Sequence, residues 1–160
     1  MTALMIRRNE DRLSRWVCFV VAGQDYGLPI ERVQEVLRDT AVEPVPGTQP
    51  VVLGVINLRG NVVTVLDLRI RMGISASDAA VPVADADRRI IVLELGGELF
   101  GLAVDAVAVV LKLADAAIKP SPQVGDAGAM PRAAGLVSRD QRLLTLIEPE
   151  SLIEGLRFLA

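Results

Sequence analysis

The chain has no histidine and one cysteine, and these two shortages exclude more functions than any motif supports. Without histidine there is no Ser-His-Asp or Cys-His relay, no phosphohistidine on this chain, and no ligand set for most transition metals. The one thiol, Cys18, cannot form an internal disulfide; with no base beside it, it reads as a small hydrophobe inside a strand. Aromatic residues are 3% of the chain, too few rings for a base-stacking platform. The formal net charge of -3 lacks the basic excess that nucleic-acid binding needs. No apolar run approaches the roughly 18 residues of a membrane span, so direct membrane insertion is not expected. The first residues, MTALMIRRNEDRLSR, are charged where a signal peptide needs its apolar segment, and the expected location is the cytoplasm.

What the chain does have is aliphatic mass. Hydrophobic residues make up 51% of 160 residues, mostly Val, Leu, Ile and Ala, enough for one large domain or two small ones. That fraction exceeds the soluble average, and two explanations compete: a generous core, or exposed aliphatic patches that meet partners.

The clearest pattern lies in Pro50 to Asp67, PVVLGVINLRGNVVTVLD. Two β-branched runs, Val51 to Leu58 and Val62 to Leu66, meet at Arg59, Gly60 and Asn61, a spacing that suits a tight hairpin. Arg59 is the odd residue, because a guanidinium cannot lose its charge and needs either water or a fixed partner. Spacing alone leaves a solvated tip and a recognition group as alternatives.

Elsewhere, Trp16 to Ala22 is a strand apolar on both faces, Gly23 to Asp25 a turn, and Tyr26 to Ile30 a return strand that Pro29 confines to an edge or an end. Val33, Val36 and Leu37 recur at near-helical spacing and predict one or two helical turns. Val42 to Pro50 is an extended proline-rich path. Ile90 to Leu95 and Leu99 to Val104 flank a Gly-Gly turn, the apolar pattern continues from Val107 to Leu113, and Ala114 to Ile118 suits a helical turn. Ala133 to Val137 and Leu143 to Ile147 form a closing hairpin, and Pro149 opens a C-terminal helix. The resulting partition is a tail over 1–14, two subdomains, intertwined or adjacent, at about 15–72 and 89–148, a small acidic linker over 73–88, and the helix over 149–159.

The two halves repeat one another. Tyr26 matches Phe100, Gly27 matches Gly101, Leu28 matches Leu102, Val33 matches Val107 and Val36 matches Val110, all at an offset of 74; Leu53-Gly54-Val55 later answers Ala134-Gly135-Leu136. Lacking a long helix to cover a sheet, each half is expected to close on itself as a small barrel of about five strands, with a groove between the two.

In order, YGLPIERVQEVL, the proline-rich crossing, LGVINLRGNVVTVLDLR, the strand-GG-strand, FGLAVDAVAVVL and IKPSP resemble the CheW family of chemotaxis coupling proteins, from Trp16 to the C-terminus. The INLRG-x-VV-x-V-x-DLR block is the most specific part of the likeness. It implies an all-β fold of two SH3-like five-stranded barrels with short helical turns and a C-terminal helix. It also implies a non-enzymatic adaptor, with no cofactor, that joins the regulatory domain of a CheA-type histidine kinase to the cytoplasmic tip of methyl-accepting chemoreceptors in membrane-associated arrays. Position by position, the family's receptor-contact region falls on Val33, Glu35, Gly54, Arg59 and Val110, and the positions matching Glu35 and Arg59 lie close together in the family. For Val33 and Val110 the alternative is core packing, and for Gly54 a close backbone approach. The same mechanics suit a non-flagellar pathway controlling pili, gliding or gene regulation, or a competitor of a paralogous coupling protein. The rival classes are weaker. An enzyme would have to use Asp67, Asp105 or Glu148, which read as turn residues or caps with nothing in their spacing to make them converge.

Overall fold

The computed structural model describes residues 12–38, 40–74, 85–122 and 131–156. Most of the expected tail and linker, and the last residues of the expected C-terminal helix, lie outside these segments. In chain order the strands are β1 (Leu13–Val21), β2 (Gln24–Pro29), β3 (Val33–Leu37), β4 (Val52–Leu58), β5 (Asn61–Asp67), β6 (Arg89–Leu95), β7 (Glu98–Val104), β8 (Ala106–Ala114), β9 (Ala133–Arg139) and β10 (Arg142–Ile147). Four pairs are hairpins with two-residue turns, and both central residues of each turn have positive φ: Ala22-Gly23, Arg59-Gly60, Gly96-Gly97 and Asp140-Gln141. That geometry matches the right-handed twist of the flanking strands. Pro29 ends β2, as its missing N–H requires.

Two helical expectations change. Val33 to Leu37 is a strand, preceded by a 3₁₀ turn at Ile30–Arg32. β-branched valines and pairing with β6 outweigh the near-helical spacing. The C-terminal helix is a single 3₁₀ turn within the described residues, Pro149–Leu152, with proline in its first turn as expected. One α-helical turn, α1 (Leu68–Arg71), follows β5 and is capped by Asp67.

The strands form two five-stranded sheets, β8-β1-β2-β10-β9 and β3-β6-β7-β5-β4. The sequence repeat is visible in them, but neither half closes on itself. The first sheet joins β1 and β2 of the N-terminal half to β8, β9 and β10; the second joins β6 and β7 to β3, β4 and β5. The parallel pairings that accomplish this are equivalent under the repeat, Tyr26 beside Thr145 and Phe100 beside Thr64. The halves therefore intertwine by exchanging their first hairpins.

Each sheet is curled by a short bridge that joins its edge strand to chain running on from its other edge. Glu43, beyond β3, exchanges two backbone hydrogen bonds of 2.9 Å with Val55 of β4, and Lys119, beyond β8, exchanges two of 2.8 Å with Leu136 of β9. Glycines lie under both bridges. A Cβ on Gly54, at φ +152°, would sit 2.0 Å from the Glu43 carbonyl oxygen; on Gly135, whose φ is not positive, it would meet the Ile118 side chain at 2.4 Å and the Lys119 carbonyl oxygen only at 3.2 Å.

Burial follows from the exchange. Trp16, Cys18, Leu113, Val137, Leu144 and Leu146 fill the first curled sheet, and Ile56, Val63, Val65, Ile90 and Val92 fill the second. Between them lies a larger shared core that includes Phe19, Val21, Leu28, Leu66, Ile91, Leu93, Leu102 and Leu152. Strands buried on both faces need apolar residues at successive positions, which is why WVCFVVA does not alternate. Cys18 is the buried strand hydrophobe its surroundings implied, and desolvation pushes its thiol up to about 11.

The crossovers between sheets are pinned by charge. Asp105, between β7 and β8, is 7% exposed. Its carboxylate accepts the Ala22 N–H at 2.7 Å and a bidentate pair from Arg69, at 3.0 Å from Nε and 2.6 Å from Nη2, while its own N–H donates to Val20 O at 3.0 Å. At the other crossover, Arg32 holds Glu150 at 2.5 Å, and this hydrogen bond lowers the Glu150 carboxyl from its ordinary range. Arg71 is buried and donates to the carbonyls of Ser151, Leu152 and Glu154, satisfying the end of the last 3₁₀ turn.

Two stability predictions follow. Gly54→Ala should cost about 3 kcal/mol or more, since backbone meets backbone in a strained region, and Gly135→Ala distinctly less; urea unfolding of the two variants checks the order. Asp105→Ala, which leaves the half-buried Arg69 guanidinium without its partner, should lower the unfolding free energy by about 3 kcal/mol, read as a lower urea midpoint at unchanged slope.

Candidate functional site

Arg59 occupies the first central position of the β4–β5 turn at φ 50°, with Gly60 at φ 86°. The turn is fixed by the Gly60 N–H, which donates to Asn57 Oδ1 at 3.0 Å. From there the guanidinium reaches Glu35 on β3, with Nη1 2.8 Å from Oε2. Because β3 and β4 are opposite edges of the sheet, this ion pair spans the rim of the curl that the Glu43–Val55 bridge closes below.

Its energetics separate two roles. The Arg59 side chain is 74% exposed and that of Glu35 24% exposed. A pair so open to water contributes about 0–1 kcal/mol to folding, so its main effect is to orient a cation. The positive φ is not the distinguishing feature, because Asp140 has φ 46° in the turn that corresponds to Arg59 under the repeat. What differs is the partner. The residue corresponding to Glu35 is Val109, which has no charge to offer.

The other residues indicated by the resemblance are placed unevenly. Val33 lies on the same strand as Glu35, partly buried, and packs against the shared core. Val36, next to Glu35, is exposed where the sequence pattern assigned it no role. Gly54 is buried beneath Glu43, so its evident work is to admit that backbone. Val110 belongs to the other sheet, on edge strand β8, and is 52% exposed. It corresponds to Val36 under the repeat, and the two pair with equivalent neighbours, Val17 and Ile91. The geometry thus unites Glu35 with Arg59, keeps Val33 beside them, and leaves Val110 on a separate strand edge.

The candidate catalytic carboxylates are all engaged. Asp67 Oδ1 accepts the Arg69 N–H at 3.0 Å, Asp105 binds the Arg69 guanidinium, and Glu148 binds Arg132 at 2.8 Å. Contrary to the spacing argument, Asp67 and Asp105 do converge, lining with Leu53, Arg69 and Arg88 a cavity of about 150 Å³. Their convergence is on Arg69, whose pairing with Asp105 raises its pKa further, so that centre is a fixed ion pair. Neither Arg69 nor Arg71 was singled out from sequence; the available signal was a pair of arginines spaced i, i+2 directly after a strand, with a lone aspartate at a strand-to-strand junction. Among the described residues no group of three or more metal-binding side chains is gathered, and no helix is long and apolar enough to cross a membrane.

The sequence matches the CheW-like domain over residues 15–157. It is 33% identical over 136 residues to the probable chemotaxis protein CheW of Rhizobium etli, covering 85% of this chain and 84% of that one. It is also 33% identical over 142 residues to protein FrzA of Myxococcus xanthus, covering 88% and 85%. The crystal structure of the scaffolding protein TtCheW from Thermoanaerobacter tengcongensis superimposes with a TM-score of 0.77 at 34% identity, covering 89% of both chains. With two intertwined five-stranded sheets, a matching solved structure and a family match across nearly the whole chain, the protein belongs to the CheW family of chemotaxis coupling proteins.

Proposed function

We propose that this protein is a non-enzymatic adaptor that couples methyl-accepting chemoreceptors to a CheA-type histidine kinase, working in the cytoplasm and recruited to receptor arrays at the membrane. The observation that carries this reading is the Glu35–Arg59 pair. It holds an exposed guanidinium in a fixed direction at the rim of one curled sheet, at a site where the corresponding residues of the other sheet make no such pair. A guanidinium has five N–H donors in a planar fork, and one anchoring contact to Glu35 leaves others free for carboxylate or carbonyl groups of a helical hairpin. In this reading Val33, Glu35, Arg59 and Val110 belong to the receptor contact, and Gly54 supports it by letting the rim close. The kinase's regulatory domain binds elsewhere on the barrels. To transmit a signal as well as to scaffold, the adaptor binds active and inactive assemblies unequally, since a ligand with equal affinity for both shifts neither.

Arg59→Glu tests this directly. It should weaken binding to a chemoreceptor cytoplasmic hairpin fragment at least about tenfold, equivalent to 1.4 kcal/mol. Binding to the kinase regulatory domain should be retained, and the unfolding free energy should change by no more than about 1 kcal/mol. The exchange Glu35→Arg with Arg59→Glu should restore the ion pair and the stability but not receptor binding. Normal receptor control of the kinase by folded Arg59→Glu protein would overturn the assignment.

A further inference from the structure

We propose that the second curled sheet carries, at the end where β3 finishes and β4 and β6 begin, a binding site for a small planar aromatic carboxylate. A cavity of about 570 Å³ opens there, walled by Leu37, Val42, Leu53 and Ile90, with the exposed Arg88 and half-exposed Arg89 at its mouth. That volume lies within the roughly 300–1,000 Å³ of small-molecule pockets. Among the described residues no Asp or Glu lines it. The adjoining cavity of about 150 Å³, which shares Leu53 and Arg88 with it, brings in Asp67 and Asp105, and both are engaged by Arg69.

The repeat identifies the shape of the occupant. Ile90 corresponds to Trp16, and their cross-strand neighbours correspond as well: Leu37 and Ala103 flank Ile90, while Leu111 and Pro29 flank Trp16. Val42, just before the Glu43–Val55 bridge, corresponds to Ile118, just before the Lys119–Leu136 bridge. In the first sheet Trp16 is 9% exposed and fills this end of the core in one cluster with Leu113 and Ile118. Its Nε1–H donates to Ser14 Oγ at 2.8 Å. In the second sheet Ile90 stands in place of the indole and Arg88 in place of Ser14. A branched aliphatic side chain does not fill a space framed for two fused rings, and the cavity is the remainder.

Polarity identifies the occupant's other end. Ser14 accepts an N–H, whereas a guanidinium only donates, so a ring seated over Ile90 must present an acceptor to Arg88 and Arg89, and a carboxylate is the strongest. Arg89 spends Nη1 on the Ala86 and Arg88 carbonyls at 2.7 and 2.8 Å, and its Nε and Nη2 make no hydrogen bond among the described residues. Other surface cations also lack a carboxylate; what sets Arg89 apart is its place beside a cavity that the repeat fills with a ring. An open barrel end that holds only water is the competing reading, and it predicts no binding. The site lies apart from the Glu35–Arg59 rim and does not rest on the adaptor reading.

The probe is indole-3-acetate, with indole-3-acetamide as its neutral counterpart and tryptamine as its cationic one, titrated into the full chain and followed by two-dimensional amide NMR. Indole-3-acetate should bind saturably and shift the amides of Leu37, Val42, Leu53 and Ile90. The acetamide should bind at least about tenfold more weakly and tryptamine more weakly still, and added salt should weaken the acetate alone. Ile90→Trp with Arg88→Ser gives the second sheet the indole and hydroxyl of the first, and the folded variant should lose acetate binding. Arg88→Gln with Arg89→Gln keeps the apolar walls, so it tests the site without filling it: acetate affinity should fall to about that of the acetamide, with the amide spectrum outside the cavity unchanged. Undiminished acetate binding by either folded variant, equal affinity for all three compounds, shifts confined to other parts of the protein, or no saturable binding at millimolar concentration would overturn the proposal. None of these results bears on the adaptor reading, which is decided by the Arg59→Glu measurements.

Discussion

Everything else in this fold depends on the two places where the chain leaves one sheet for the other. At the β7–β8 crossover Asp105 is bound by Arg69, and at the β2–β3 crossover Arg32 is bound to Glu150. Under the repeat Arg69 corresponds to Glu150, and Asp105 to Glu31, the neighbour of Arg32. The same joint is thus made twice with the charges reversed. Only the Asp105 copy is buried and bidentate, with the Ala22 N–H also donating to its carboxylate, so that copy carries the energetic weight. Arg71 then ties the C-terminal turn to α1, bringing Leu152 into the shared core. Fixing the crossovers fixes the exchange of hairpins, and the exchange creates the core between the sheets.

The rim is a consequence of that arrangement. With the core secured by aliphatic burial, the β4–β5 turn can hold a charged residue at its tip without a stability role for it. Gly54 permits the close approach that brings β4 back toward the chain beyond β3, and the same closure carries Arg59 within reach of Glu35. Closure and exposed charge are therefore divided between neighbouring residues on one hairpin: a buried glycine beneath the bridge and an exposed arginine at the rim. A substitution at either would alter the rim, yet for different reasons, which unfolding measurements distinguish.

Much of this was legible in sequence, and the failures have a common physical origin. Strand hairpins were readable from β-branched runs and two-residue turns, and the repeat from Tyr26, Gly27 and Leu28 against Phe100, Gly101 and Leu102. Whether the two subdomains intertwine or merely adjoin was not. A strand's side-chain pattern records which faces are buried, not which copy of a duplicated unit lies beside it, and β2 and β7 present the same Tyr/Phe-Gly-Leu edge to either candidate. The helical reading of Val33 to Leu37 failed because burial alternates along this edge strand while residue type does not: Glu35 lies on the half-buried face and Val36 on the exposed one. Of the site, the nearness of Glu35 and Arg59 was available only through family resemblance. The buried roles of Arg69 and Arg71 depend on contacts 36 and about 80 residues away, beyond the reach of any local pattern.

The surplus of aliphatic residues has both of the explanations that composition allowed, and their distribution shows how they combine. Sheets buried on two faces consume apolar residues at successive positions, and three clusters account for most of them. The exposed remainder includes Val36 on β3 and Val109 and Val110 on β8, the equivalent edge strands of the two sheets. At β3 the repeat has placed Glu35 beside the exposed valine and Arg59 opposite it. At β8 the corresponding residues are Val109 and Asp140, and the nearby charge comes instead from Arg15 and Lys112. Duplication supplied two geometrically similar edges, and differences of a few charged side chains on that common frame made them unlike. The two sheets therefore share one backbone frame and differ at their edges in charge rather than in shape.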